Sequence, residues 1–132
     1  MIKSLLAPLG FLLVLAGCGG GDSAPLSQVE QLRAQALAKE AEARTLAVDQ
    51  PCLTDSQCGA LSLLPTDQGC TYPAPKAYSL VSPTASQAEA AAALQRSYAT
   101  QLMNGNPPSV ICPTIAPAPP VVACEAQKCV IK

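Results

Sequence analysis

The sequence predicts a small, disulfide-rich α+β domain that has an antiparallel sheet and one packed helix and is preceded by a helical stalk. Three observations predict this class. Six cysteines lie beyond residue 50, residues 86–105 have the composition and spacing of a helix, and residues 121–132 have the pattern of a β-hairpin. Because strands flank the helix without several alternating helices, an antiparallel sheet is favoured over a parallel one.

The length and composition limit the number of domains, the class of partner and the kind of core that the chain can form. A chain of 132 residues corresponds to one domain with tails. Its formal charge of −1 gives no electrostatic reason to expect nucleic acid as a partner. There is no His or Trp, and the single Phe is Phe11. Since aromatic side chains supply much of the burial energy of small domains, this core needs covalent reinforcement.

Residues 1–17 are typical of an export signal. Lys3 gives a positive start, an apolar stretch follows, and the small residues Ala16 and Gly17 end it. The stretch is about a dozen residues long, whereas a membrane-spanning helix needs about 20. We therefore expect an exported chain without a spanning segment here.

The end of this segment, Leu15-Ala16-Gly17-Cys18, resembles the lipobox of bacterial lipoproteins. The resemblance implies that Cys18 is acylated, that cleavage follows Gly17, and that the protein is anchored to a membrane through lipid. More than one acyl chain is needed for stable anchoring. Gly19 stands where an Asp signals inner-membrane retention in that family, which implies an outer-membrane, periplasm-facing location. Residues 18–26 then form a flexible, glycine-rich tether.

Removing Cys18 from the seven cysteines leaves six, an even set that predicts three structural disulfides in an exported chain. Six cysteines allow about fifteen pairings, and the sequence does not choose among them. Metal binding is the weaker alternative: there is no C-x-x-C pair, and without His only an all-cysteine site is available. No cofactor is expected. The six remaining cysteines are Cys52, Cys58, Cys70, Cys112, Cys124 and Cys129.

Residues 27–48 are rich in good helix formers and predict the stalk. Ser27 and Glu30 have the spacing of a capping box, and Glu40 and Arg44 form a favourable i,i+4 pair. The apolar face is thin, which indicates a projecting or loosely docked helix. A coiled coil would need apolar residues at regular a and d positions, which are missing.

Residues 50–132 form the predicted disulfide-linked α+β domain. Thr54 and Gln57 favour one helical turn. A short strand at 59–64 follows, then a proline-rich loop at 65–84, the helix, and a strand at 109–115. The hairpin has its turn at Glu125–Lys128, and its cysteines either pair with each other or link the hairpin to the helix and first strand.

The helix at 86–105 has specific signals. Ser86 and Glu89 have capping-box spacing, and Leu94, Tyr98 and Leu102 would share one face. In the preceding loop, Tyr72 and Tyr78 are either exposed binding anchors or core residues. We favour the core, because the chain has few other aromatic side chains to fill it.

The region from about residue 50 to the end resembles small cysteine-rich envelope proteins of proteobacteria. The shared features are a C-x5-C pair, a Pro- and Tyr-containing loop, an Ala- and Leu-rich helix with a Tyr, a Cys-Pro step and a closing C-x4-C pair. Thr71-Tyr72 stands where that pattern has Gly-Gly. The resemblance brings no activity with it.

No catalytic residue is predicted, because a chain without His has neither a Ser-His nor a Cys-His nucleophile. Asp49, Asp55 and Asp67 could in principle pair as glycosidase carboxylates do. We expect a non-catalytic binding or accessory protein that contacts an envelope protein or peptidoglycan. The alternative is a periplasmic inhibitor of a hydrolase, either a lysozyme or a protease. The terminal Lys132 resembles the wall-linked residue of the abundant wall-bound lipoprotein, but a solvated terminus is favoured.

Overall fold

A computed structural model describes residues 26–67, 71–105 and 117–132, and it confirms the α+β class with antiparallel pairing. The signal segment, Cys18, the strand predicted at 109–115, Cys70 and Cys112 lie outside the described residues. No helix in the described part is long and apolar enough to cross a membrane. The elements are α1 (Gln28–Leu46), a single 3-10 turn (Asp55–Gln57), β1 (Cys58–Ala60), β2 (Ala77–Ser79), α2 (Ala85–Gly105), β3 (Val122–Glu125) and β4 (Lys128–Ile131).

The start of α1 confirms the predicted capping box. The Glu30 amide donates a hydrogen bond to Ser27 Oγ at 3.3 Å, and the Ser27 amide donates to Glu30 Oε2 at 2.8 Å. The Ser27 hydroxyl also donates to Glu30 Oε2, at 2.8 Å. The bond from the Ser27 amide first, and the bond from its hydroxyl second, lower the pKa of Glu30. The predicted Glu40–Arg44 ion pair also forms, at 2.9 Å.

The helix predicted as a stalk packs along α2 instead of projecting. Ala36 and Ala43 of α1 are fully buried, and so are Ala88 and Ala92 of α2. The thin row of large aliphatic residues in α1 suggested weak docking, and Leu37 is indeed half exposed. Alanine supplies the contact surface instead, because a methyl side chain lets two helix backbones approach closely.

Helix α2 confirms the predicted helix but differs in its cap and its buried face. It begins at Ala85, so Ser86 lies inside the helix and the predicted capping box with Glu89 is wrong. Leu94 is 44% exposed although Leu102 is buried, so the predicted apolar row is only partly right. The buried residues of α2 are Ala88, Ala91, Ala92, Gln95, Ala99 and Leu102.

In residues 26–67, 71–105 and 117–132, the strands form two small sheets and not one. Strand β1 pairs antiparallel with β2, with Cys58 opposite Ser79. Strand β2 lies inside the segment predicted as a loop, and β1 ends at Ala60, short of the predicted end at residue 64. The predicted turn before β1 is present as the 3-10 turn, but the Thr54 side chain does not cap it.

The predicted hairpin is confirmed with its turn. Strand β3 pairs antiparallel with β4, from Val122 opposite Ile131 to Glu125 opposite Lys128. Ala126 and Gln127 form the two-residue connection with φ of 48° and 63°. Positive φ at both central residues is the type I′ geometry that matches the twist of a hairpin.

Two clusters of buried side chains form the core of the part of the chain that the structure describes. The first joins alanines of both helices to Leu61, Leu63 and Tyr78, so the core interpretation is right for Tyr78. Tyr72 is 37% exposed and does not belong to it. The second cluster contains Cys52, Cys58, Ala77 and Cys129.

Gln95 of α2 is a fully buried polar side chain. Its Oε1 accepts a hydrogen bond from the Leu64 amide at 3.0 Å, and its Nε2 donates to the Leu64 carbonyl at 2.7 Å. One side chain thus satisfies both backbone groups of Leu64, as a neighbouring strand would. These two hydrogen bonds hold the extended chain in place beyond the end of β1.

Replacing Gln95 by Leu tests this role. We expect Gln95→Leu to lower the free energy of unfolding by about 2–4 kcal/mol, because the Leu64 amide and carbonyl lose their partners and each unpaired buried group costs about 1–3 kcal/mol. The matched control is Gln101→Leu, at an exposed position of the same helix. Urea denaturation of both variants measures the difference, and equal effects would contradict this role.

Candidate functional site

Two disulfides join the hairpin to Cys52, which precedes β1, and to Cys58, the first residue of β1. Cys52 is bonded to Cys124, and Cys58 is bonded to Cys129, across 72 and 71 positions of sequence. The hairpin cysteines therefore do not pair with each other. Cys129 is linked to the first strand, as the other alternative predicted, whereas Cys124 is linked to Cys52 and neither hairpin cysteine is linked to α2. The expectation that the six cysteines form three disulfides stays a prediction for the remaining two, which lie outside the described residues.

Hydrogen bonds of the backbone join the same two parts of the chain as these disulfides. Cys124 and Cys129 lie directly opposite each other in the hairpin. The Cys129 amide donates to the Asp49 carbonyl at 2.8 Å, and the Cys124 amide donates to Asp55 Oδ1 at 2.8 Å. The Cys52 amide in turn donates to the Gln127 carbonyl at 3.2 Å. The hairpin is therefore held against residues 49–55 by hydrogen bonds as well as by sulfur.

The three aspartates considered as catalytic carboxylates have separate structural contacts. Asp55 holds the hairpin, Asp49 pairs with Lys128 at 3.2 Å, and Asp67 Oδ1 accepts from the Thr71 amide at 3.2 Å. None of these contacts joins two of the three carboxylates. The arrangement gives no support to an acid–base pair.

The candidate binding site is a groove of about 530 Å³. Three extended segments of the chain form it, which we call the first wall (60–64), the second wall (72–75) and the third wall (117–120). Neither the helical pattern nor the cysteine spacing pointed to it. The signals in the sequence are the repeated proline and Tyr72, which the less favoured alternative took as an exposed binding anchor. The lining residues are Ala60, Leu61, Ser62, Leu63, Leu64, Tyr72, Pro73, Pro75, Pro117, Ala118, Pro119 and Pro120.

Helix α2 positions the first wall. Gln95 holds Leu64 as described above, and Arg96 Nη1 donates to the Ser62 carbonyl at 2.7 Å. Glu89 lies 3.8 Å from the Arg96 guanidinium and accepts a hydrogen bond from the Tyr78 hydroxyl at 2.7 Å. A connected set of polar side chains therefore fixes this wall to the helix.

Helix α1 positions the second wall. Arg44 Nη2 donates to the Ala74 carbonyl at 2.9 Å, and Lys76 Nζ donates to the Arg44 carbonyl at 2.5 Å. The Leu61 amide donates to the Lys76 carbonyl at 2.9 Å, which ties the second wall to the first. The third wall leads directly into β3, and the disulfides hold that strand.

The groove suits an apolar, uncharged ligand. Among the lining residues in the described part of the chain, none carries a charge, and the polar side-chain atoms are the hydroxyls of Ser62 and Tyr72. The volume is within the usual range for ligand pockets, about 300–1,000 Å³. Five prolines and hydrogen-bonded walls limit the rearrangement that binding would require, which lowers its entropic cost.

Comparison with protein-family models, with curated proteins and with solved structures finds no match to this chain. The case for function therefore depends on the residues and geometry described above.

The buried Tyr78 predicts a specific dependence of stability on pH. Burial first, and then the hydrogen bond and charge of Glu89, raise the pKa of Tyr78 above its ordinary value of about 10. The folded state therefore keeps a proton that the unfolded state loses, and stability falls as pH rises above about 10. We expect Tyr78→Phe to remove this part of the fall.

The control is Tyr72→Phe, which alters an exposed ring and should keep the wild-type slope. Urea denaturation measures the free energy of unfolding of each protein at several pH values between about 8 and 11. This range spans the ordinary pKa of a phenol. Identical slopes for wild type and Tyr78→Phe would contradict the assignment.

Proposed function

We propose that this protein is an exported, lipid-anchored envelope protein whose domain binds a partner without catalysing a reaction. The observation that carries the proposal is the pair of disulfides that hold the hairpin to residues 52–58. Disulfides persist in oxidising compartments and are rare in the cytosol. They therefore support export, in agreement with the signal-like N-terminal segment.

The membrane link in this proposal is Cys18, acylated after cleavage behind Gly17. The tether at 18–26 and the outer-membrane location belong to the same proposal, and they depend on the lipobox resemblance. A lipid anchor needs no spanning helix, because the acyl chains supply the apolar area that is buried in the bilayer.

The partner that fits the groove is an extended, apolar segment of another envelope protein. Proline-rich and extended peptides dock in apolar, aromatic-containing grooves, and they bring few charges. Peptidoglycan is the weaker candidate, because a glycan strand needs many hydrogen-bonding groups and the lining offers two side-chain hydroxyls. A protein partner is consistent with an accessory role in an envelope complex.

The hydrolase inhibitor is a second candidate, and the hairpin turn favours it. The residues of the turn, Glu125–Lys128, are all exposed, while the disulfides fix both strands beside it. A rigid loop loses little conformational entropy when it enters an active site. This candidate uses the turn, whereas the accessory role uses the groove.

Photo-cross-linking in intact cells distinguishes these candidates. A cross-linking residue is placed at Tyr72 in the groove, at Gln127 in the turn, or at the exposed Gln101 of α2 as a control. We expect one defined partner from position 72 and none from position 101. Cross-links from 127 alone would favour the inhibitor, and no cross-link from either 72 or 127 would contradict a binding role.

A charge placed in the groove shows whether the cross-link is specific. Ser62→Asp adds a carboxylate to the first wall and should abolish the cross-link from Tyr72, since an apolar segment cannot compensate the charge. Ser97→Asp adds the same charge at an exposed site on α2 and should leave the cross-link unchanged. An unchanged cross-link in Ser62→Asp would show that the groove is not the site.

A further inference from the structure

Four cysteine sulfurs converge at one place in the second core cluster. The Sγ atoms of Cys52, Cys58 and Cys129 all lie within 4.8 Å of one another, and the Sγ of Cys124 is bonded to that of Cys52. The C-x5-C pair and the C-x4-C pair are 66 positions apart at their nearest cysteines, Cys58 and Cys124. The fold therefore brings together the cysteines of these two pairs, although their spacing in the sequence did not suggest that they bind a metal.

The backbone around this cluster is held independently of the sulfur–sulfur bonds. Hydrogen bonds join Cys129 to Asp49, Cys124 to Asp55 and Cys52 to Gln127. These contacts do not involve sulfur, so reducing the disulfides does not by itself remove them. Four thiols would remain close together after reduction.

The separations suit a tetrahedral zinc ion. A Zn–S distance of about 2.3 Å places the four sulfurs of a tetrahedral site about 3.8 Å apart. The Sγ atoms of Cys52, Cys58 and Cys129 already lie within 4.8 Å of one another, and that of Cys124 is bonded to that of Cys52. Once the disulfides are reduced, rotations of the four Cys side chains would produce this geometry. Cys₄ is a standard ligand set for structural zinc and requires no His.

The surroundings also fit a structural metal site. Cys52, Cys58 and Cys129 are 0%, 6% and 2% exposed, and Val122 and Ile131 pack against the cluster. Cys124 is partly exposed, which gives an ion access from solvent. An enclosed site with four protein ligands is typical of structural zinc, whereas catalytic zinc keeps an open position.

We propose that Cys52, Cys58, Cys124 and Cys129 bind one Zn²⁺ when both disulfides are reduced. A dithiol reductant supplies two electrons and two protons to each disulfide and closes its own S–S bond, which leaves four thiols. Zn²⁺ then replaces the four thiol protons, which pass to water. The metal takes the place of the two disulfides and keeps the hairpin attached in a reducing environment.

This inference does not rest on the proposed function. A failure to bind metal would not contradict the proposed groove or lipid anchor. A failure of the cross-linking experiment would not contradict the proposed metal site.

The test is a titration of the reduced full-length chain with Co²⁺, whose absorption reports tetrahedral thiolate ligation. A phosphine reductant is used, and every protein carries Cys18→Ser. The key variant, Cys70→Ser/Cys112→Ser, keeps only the four proposed ligands. We expect it to bind one Co²⁺ per chain with the charge-transfer band of four thiolates, and Zn²⁺ to displace the Co²⁺.

The matched variant Cys58→Ser/Cys129→Ser has the same number of cysteines but lacks two of the proposed ligands. We expect its affinity to fall by more than about 100-fold, since the loss of even an outer-shell partner costs about 10- to 100-fold. Adding Zn²⁺ to the reduced key variant should also raise its Tm, and a chelator should reverse this rise. Absence of one-to-one thiolate binding in the key variant, or equal affinity in the two variants, would overturn the proposal.

Discussion

The attachment of the hairpin to residues 49–58 is the constraint on which the rest of the structure depends. A two-stranded hairpin alone is marginally stable in water, and this one lies at the far end of the chain from its contacts. Each disulfide closes a loop of about 70 residues, which in the chain-entropy model stabilises the fold by about 4 kcal/mol. The third wall of the groove leads into β3, so the binding surface depends on the same attachment.

The remainder of the domain compensates for a core without large aromatic residues other than Tyr78. Alanine side chains bring α1 and α2 together, and the extended chain on their surface is held by side chains of the helices. Gln95 and Arg96 hold the first wall, and Arg44 and Lys76 hold the second. The groove is therefore a consequence of the way two helices hold the extended chain next to the β1–β2 sheet.

The sequence predicts the parts of this fold that local signals determine. The hairpin, the range of α2, the Ser27 cap and the Glu40–Arg44 pair all depend on residues within a few positions of one another. Strand β2 and the packing of α1 are missed, because both depend on distant contacts and on alanine, whose burial leaves a weak periodic signal. The disulfide pairing and the groove could not be predicted for the same reason: they join segments that are 10 to 70 positions apart.

The most direct test of the account is the intact mass of the membrane-extracted protein, with free thiols alkylated before and after reduction and the disulfides mapped by peptide analysis. We predict loss of residues 1–17, added acyl mass on Cys18, and no alkylation before reduction. The mapped peptides should join Cys52 to Cys124 and Cys58 to Cys129. Free thiols at these four positions without reduction, or a different pairing of them, would contradict the account.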